Sequence, residues 1–97
     1  MERSSYVYIL ASAPYGTLYT GATTDIVKRT WQHKEQVFEG FTKKYGVHIP
    51  VWYEVHTELM NAALREKQIK HWKRAWKLKL ITSTNPEWRD LYNDFCG

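Results

Sequence analysis

Hydrophobic and polar positions divide the chain into short elements. Tyr6-Val7-Tyr8-Ile9-Leu10 is an unbroken β-branched and aromatic run without glycine or proline, which predicts a strand. Pro14 and Gly16 mark Ser12 to Gly16 as a turn. Thr17-Leu18-Tyr19-Thr20 reads as a second short strand ended by Gly21, so residues 6–20 predict a hairpin. A helix is expected from about Asp25 to Val37, with Thr23 or Thr24 as its N-cap and Asp25 near its positive end. Phe38 to Pro50 reads as a loop or short irregular segment, and Val51 to His56 as a third strand.

A second helix is expected to begin at Glu58 to Asn61 and to run to about Trp72. KRAWKLKLIT either extends it or forms a short helix of its own. NPEWRDLYNDF has the form of a helix start, with Asn85 as N-cap and Pro86 at the first helical position. The order is ββα, then βα, then a helical tail. It predicts an α+β fold with a small three-stranded antiparallel sheet, one domain over 1–97, its core about 4–80 and its tail about 85–96.

Composition narrows the setting. The single cysteine, Cys96, excludes an internal disulfide and a cysteine-based zinc site, and suits a reducing cytoplasm. No apolar run has the form of a signal peptide or approaches the roughly 18 residues of a membrane span. A net charge of +4 with five Trp and seven Tyr points toward an anionic partner, nucleic acid above all.

Several residues could carry chemistry. Glu66 has Ala62, Ala63 and Ile69 among its helical neighbours, which places a carboxylate within an apolar stripe. Such a charge needs a partner, Arg29 or Lys70, or a bound cation. Arg29 and His33 stand one turn apart on one face of the first helix. They form either a solvated charged face or a phosphate-binding guanidinium with an imidazole beside it. Tyr8 and Tyr19 lie on adjacent strands and are either cross-strand packing or a pair of phenols. A tyrosine with a pKa of about 10 acts as a base only where neighbours favour its anion. Arg65 to Lys79 holds seven of the fourteen Lys and Arg residues, interleaved with Trp72 and Trp76. This reads as an amphipathic helix with core tryptophans, an electrostatic track for a phosphate backbone, or both. There is no glycine-rich phosphate loop, no HExxH and no hydrolase triad pattern.

Taken in order, these residues resemble the GIY-YIG endonuclease superfamily. Tyr6-Val7-Tyr8 and Tyr19-Thr20-Gly21 stand where its two strand motifs do, with ten residues between Tyr8 and Tyr19. Arg29 follows the second motif by eight residues, His33 by one further turn, and Glu66 lies in the next long helix. GFTKKYGVH, REKQIKHWKRAWKLKLI and NPEWRDLY extend the resemblance to the small stand-alone bacterial members. The resemblance implies a metal-dependent DNA endonuclease of low sequence specificity, with DNA repair or recombination as its setting. It implies Glu66 as ligand to one Mg²⁺ or Mn²⁺ ion, Tyr8 as activator of the attacking water and Tyr19 as orienter or alternative base. Arg29 would sit on the phosphate and His33 would support by hydrogen bonding or proton transfer. Gly21 would make the turn that aims the helix. Lys43, Lys44, Lys67, Lys70, Lys73, Arg74 and Lys77 are the candidate nucleic-acid contacts. Ala22 stands where some relatives keep a lysine, and Lys44 or Lys70 is the candidate substitute. The expected state is a monomer or weak dimer, with room for a protein partner that targets it. The rival readings are a non-catalytic nucleic-acid-binding module and a protein–protein adaptor.

Overall fold

The most apolar strand lies at the centre of the sheet. The computed structural model describes residues 4–37 and 40–96. Its three strands, β1 (Ser5–Ala11), β2 (Leu18–Thr23) and β3 (Ile49–His56), pair antiparallel in the order β2-β1-β3. Residues 7–11 of β1 are all buried, because both faces of a central strand are covered. Between the strands and after them run α1 (Ile26–Lys34), α2 (Phe41–Lys44), α3 (Leu59–Lys70), α4 (Arg74–Thr84) and α5 (Tyr92–Cys96). The α+β fold with its C-terminal helical extension is therefore as expected. None of these helices is long and apolar enough to cross a membrane.

Alternation along β1 divides the interior. Val7, Ile9 and Ala11 point to one face and join Val51, Trp52, Ala62, Ile69, Ile81 and Trp88. Tyr8 and Leu10 point to the other face with Ile26 and Val47, flanked by Tyr6, Tyr19, Val27 and Phe95. Tyr8 stands opposite Gly21 on β2 and Tyr53 on β3, and Leu10 stands opposite Tyr19. The pairing of β1 with β3 shifts between Ile9 and Leu10, and Pro50 sits beside that bulge. A proline there costs the sheet no central ladder bond.

Several boundaries differ from the sequence reading. The α1 cap is Asp25, whose Oδ1 accepts from the Lys28 amide, while Thr23 Oγ1 accepts from the Asp25 amide and shapes the turn before it. The helix stops at Lys34, three residues short of Val37, and Gln36 turns into the left-handed region at φ 56°. Within the expected loop, Phe38 and Glu39 lie outside the described residues, Phe41–Lys44 is helical, and β3 starts at Ile49. KRAWKLKLIT belongs to a separate helix, because the chain turns at His71 and Lys73 is extended.

The largest correction concerns the tail. Asn85 caps no following helix, and helix resumes only at Tyr92. Its buried amide instead donates to the carbonyls of Val51 (3.0 Å) and Arg89 (2.8 Å), and its Oδ1 accepts from the Arg89 amide (3.0 Å). The Leu91 amide donates to the Pro50 carbonyl at 2.8 Å, and Trp88 is buried at φ 55°. Tertiary hydrogen bonds to β3 thus outweigh the local capping signal, since a helix over 86–91 would forfeit them. Lys34 completes the attachment by pairing with Asp90 at 2.6 Å.

Candidate active site

Four elements bring the singled-out residues to one place: β1 carries Tyr8, β2 Tyr19, α1 Arg29 and His33, and α3 Glu66 and Lys70. On α1, Ile26, Thr30 and His33 form the buried stripe, so His33 faces the sheet and does not belong to a solvated face. Its Nε2 lies 3.4 Å from Tyr8 Oη, and its ring centroid is 6.1 Å from that of Tyr8 and 5.5 Å from that of Tyr19. The imidazole thus stands against both phenols. Arg29, one turn earlier, hydrogen-bonds the Tyr8 phenol. The fourth element is α3. Its Lys70 Nζ is 2.6 Å from Glu66 Oε2 and 5.9 Å from the centroid of the Tyr19 ring.

Gly21 acquires a different role from the one expected. It lies inside β2, directly opposite Tyr8, and makes no turn. Its φ is outside the left-handed region that Gly40 and Gly46 occupy. A Cβ at Gly21 would stand against Tyr8 Oη and 2.5 Å from Cζ. The glycine is required by the Tyr8 ring that lies across it, because any side chain would push the ring away.

The electrostatics follow from burial. Tyr8 is fully buried. Burial lifts its phenol well above the ordinary value, Tyr19 adds to the lift, and Arg29 opposes it by charge and hydrogen bond. Burial first and the Arg29 charge second push His33 down to about 4. At neutral pH the pair is therefore a phenol and a neutral imidazole. Glu66 is not deep in the core: its side chain is 22% exposed, with buried Ala62 and Ile69 on one side and exposed Ala63 on the other. It sits at the edge of the apolar stripe, paired with Lys70.

The cationic candidates separate by contact. Of Lys44 and Lys70, Lys70 is the lysine at this site, whereas the Lys44 ammonium lies 5.4 Å from the centroid of the Tyr45 ring. Arg74 clamps the β1–β2 turn through the carbonyls of Tyr15 (2.6 Å) and Gly16 (2.8 Å). Lys43, Lys67 and Lys73 are exposed. Lys77 is half-buried beside Arg74 and Lys70, and its ammonium is pulled below its usual value by burial and then by those two charges. Trp72 packs on the core, but Trp76, expected there as well, is 58% exposed and leans edge-on against Trp72. The sequence reading gave Phe41 and Tyr45 no role. Phe41 lies 6.5 Å from Tyr19 and 4.9 Å from Tyr45. The available signal was two rings spaced i, i+4 between glycines in GFTKKYG.

Comparison with known proteins identifies the family and the fold. A UPF0213 protein of Syntrophus aciditrophicus is 40% identical over 84 residues, covering 86% of this chain and 94% of that protein. A UPF0213 protein of Staphylococcus aureus is 35% identical over 79 residues, covering 80% and 94%. The solution NMR structure of a UPF0213 protein from Bacillus halodurans superposes with a TM-score of 0.55 at 28% identity, covering 90% of this chain and 92% of that one. Residues 4–79 match the GIY-YIG catalytic domain, a span that holds Tyr8, Tyr19, Arg29, His33, Glu66 and Lys70 together. The chain belongs to the GIY-YIG family, a nuclease superfamily, and shares its fold with the UPF0213 proteins.

Proposed function

We propose that the protein is a metal-dependent DNA endonuclease that hydrolyses phosphodiester bonds with little intrinsic sequence preference. The observation that carries this reading is the convergence on one phenol. Tyr8 Oη meets Arg29 and His33, and Glu66 acts on it through charge.

Glu66 would hold one Mg²⁺ or Mn²⁺ ion. Among the described residues no group of three His, Cys, Asp or Glu side chains could form a closed metal cage. One carboxylate suits a hard cation that keeps several waters and leans on substrate phosphate. Glu66 Oε2 already takes a cation, the Lys70 ammonium. When bound, the ion supplies charge neutralisation at the scissile phosphate and the leaving oxygen.

The chain's own groups do the rest. Arg29 binds non-bridging phosphate oxygens. Neither Tyr8 nor His33 is a ready base alone, since one phenol is held protonated and the imidazole is weakly basic. Together they can move a proton: Tyr8 Oη takes it from water while passing its own to His33 Nε2. This requires the tautomer with Nδ1 protonated, and the 3.4 Å separation must tighten with substrate bound. Tyr19, its ring 5.5 Å from that of His33, orients the nucleophile. Lys70, 2.6 Å from Glu66 Oε2, would be released to serve a leaving oxygen once Glu66 engages the ion.

Charge placement supports a polyanionic substrate. Residues 67–84 carry six of the fourteen basic residues and none of the ten acidic ones, while the remainder holds eight basic against ten acidic. Contacts made by such cations go to phosphates and read backbone shape more than base sequence.

The test is nicking of supercoiled plasmid with Mg²⁺ or Mn²⁺. Cleavage is expected, with Glu66→Ala slower by about a hundredfold or more. DNA bound but left intact under both metals would establish the non-catalytic binding module instead. Cleavage by Glu66→Ala at the wild-type rate would remove Glu66 from the site.

A further inference from the structure

The short helix α2 is built inside out. Of its residues Phe41, Thr42, Lys43 and Lys44, only the threonine is buried. Phe41 is 47% exposed, and Tyr45, the next residue, is 49% exposed. A helix anchored for stability buries its rings and exposes its hydroxyl, because the apolar area is what gains by leaving water. Here the reverse holds. Gly40 at φ 106° and Gly46 at φ 64° bracket the segment, two backbone conformations that L side chains seldom adopt. The chain therefore uses two glycines to present a pair of rings outward.

The rings also lead somewhere. His33, Tyr19, Phe41 and Tyr45 follow one another at centroid separations of 5.5, 6.5 and 4.9 Å. The inner two belong to the candidate active site and the outer two face solvent. Lys43 and Lys44 stand on the same short element, with the Lys44 ammonium 5.4 Å from the Tyr45 ring centroid. Exposed rings beside cations, next to a phosphate-processing site, match one partner chemistry: a polyanion whose repeating unit has a flat π face. Bases inside a duplex are stacked on one another and have no face to offer. An unpaired base does.

We infer that Phe41 and Tyr45 stack an unpaired nucleobase beside the scissile phosphate, so that the substrate is DNA with unpaired nucleotides at the cleavage point. A fork, a flap or a bulge fits, and intact duplex is the poorer substrate. The inference rests on the nuclease reading for the identity of the neighbouring site, but binding tests it separately from cleavage.

The experiment compares a forked DNA with a blunt duplex of the same sequence, in EDTA, by fluorescence anisotropy. A 2-aminopurine at the first unpaired position reports stacking through quenching. Wild-type protein is expected to favour the fork by between about fivefold and a hundredfold, the range for stacking one base on an aromatic ring. The doubly substituted Phe41→Ala, Tyr45→Ala protein should lose that preference and the quenching while keeping its duplex affinity. Phe41→Tyr with Tyr45→Phe should retain both. Because both rings are half-exposed, the double variant should still unfold cooperatively and well above the assay temperature, which separates a lost surface from a lost fold. Equal wild-type affinity for fork and duplex overturns the inference, as does an equal loss on both DNAs in the double variant. A change in self-association by sedimentation, with DNA binding unaltered, overturns it in favour of contact between copies of the chain. If plasmid is cut but the fork preference is absent, this inference fails alone. If no DNA is cut yet the fork preference depends on the rings, the nuclease reading fails and the stacking surface stands.

Discussion

Gly21→Ala is the most direct test of how the Tyr8 phenol is held. The backbone at Gly21 accepts alanine, since β2 is ordinary strand there. The space does not. The new Cβ would lie 2.5 Å from Tyr8 Cζ and 3.1 Å from Cε1, whereas ordinary contacts begin near 3.4 Å. The ring must retreat by roughly 1 Å, and Tyr8 is fully buried with no open side to retreat into. Forcing one methyl into such packing costs about 1–3 kcal/mol. For a domain of this size that lowers Tm by roughly 5–20 °C. The same displacement disturbs the 3.4 Å contact from Tyr8 Oη to His33, so nicking activity should fall by more than the loss of folded protein explains. Thermal unfolding by circular dichroism and plasmid nicking on the folded fraction measure the two effects. The decisive comparison is with Tyr8→Ala. Without the ring there is nothing to strike, so Gly21→Ala should cost almost nothing in that background, a coupling of at least about 1 kcal/mol. A Gly21→Ala protein within about 0.5 kcal/mol of wild type would refute the close-approach argument. So would an alanine penalty that survives in Tyr8→Ala, which would restore a backbone requirement.

Other consequences can be checked alongside it. His33 sits at about 4 in the fold against an ordinary 6.5, so the unfolded chain takes up its proton first. The stability contributed by the neutral, buried imidazole is therefore full above pH 6.5 and is lost as pH falls toward 4, by about 3 kcal/mol at pH 4. Urea unfolding of wild type and His33→Gln at pH 7 and pH 4 should show a smaller acid loss in the variant, and equal losses would contradict the assignment. Asn85→Ala should destabilise by about 3 kcal/mol in the same assay, because the buried Val51 carbonyl and the Arg89 amide lose their partner together. A loss below about 1 kcal/mol would show that Asn85 is only a local cap. Tyr8→Phe keeps the ring across Gly21 and removes the hydroxyl, so it should fold normally and nick plasmid at least about a hundredfold more slowly. Full activity in that variant would move the proton-handling role to Tyr19.

The attachment of the tail explains why local signals misled at one end of the chain and succeeded at the other. Asp25 and its neighbours form a cap from residues three positions apart, and nothing distant competes for them. Asn85 and Pro86 form an equally good helix start, but β3 offers the buried amide a carbonyl 34 residues away. A buried polar group goes to the partner that satisfies it fully, so the sheet prevails. Trp76 misled for a related reason. One continuous helix would align it with Trp72, yet the chain breaks between α3 and α4, and Trp76 remains in solvent while Trp72 packs on the core.

The order of strands and helices could be read along the chain, because each depends on neighbours within a few positions: the apolar run of β1, the turn residues after it, the basic helix that follows β3. Tyr8, Tyr19, Arg29, His33 and Glu66 could also be singled out there as candidates, through their order and spacing. Three matters belonged to the tertiary structure alone. Gly21 serves the ring opposite it, which the sequence places thirteen residues away. Lys70, not Lys44, stands with Glu66 and Tyr19. Phe41 and Tyr45 project outward while Thr42 turns in. Spacing along a chain says which side chains share an element's face. Which group lies across that face, and whether it leaves space, charge or solvent there, depends on elements that meet only when the sheet and its helices pack.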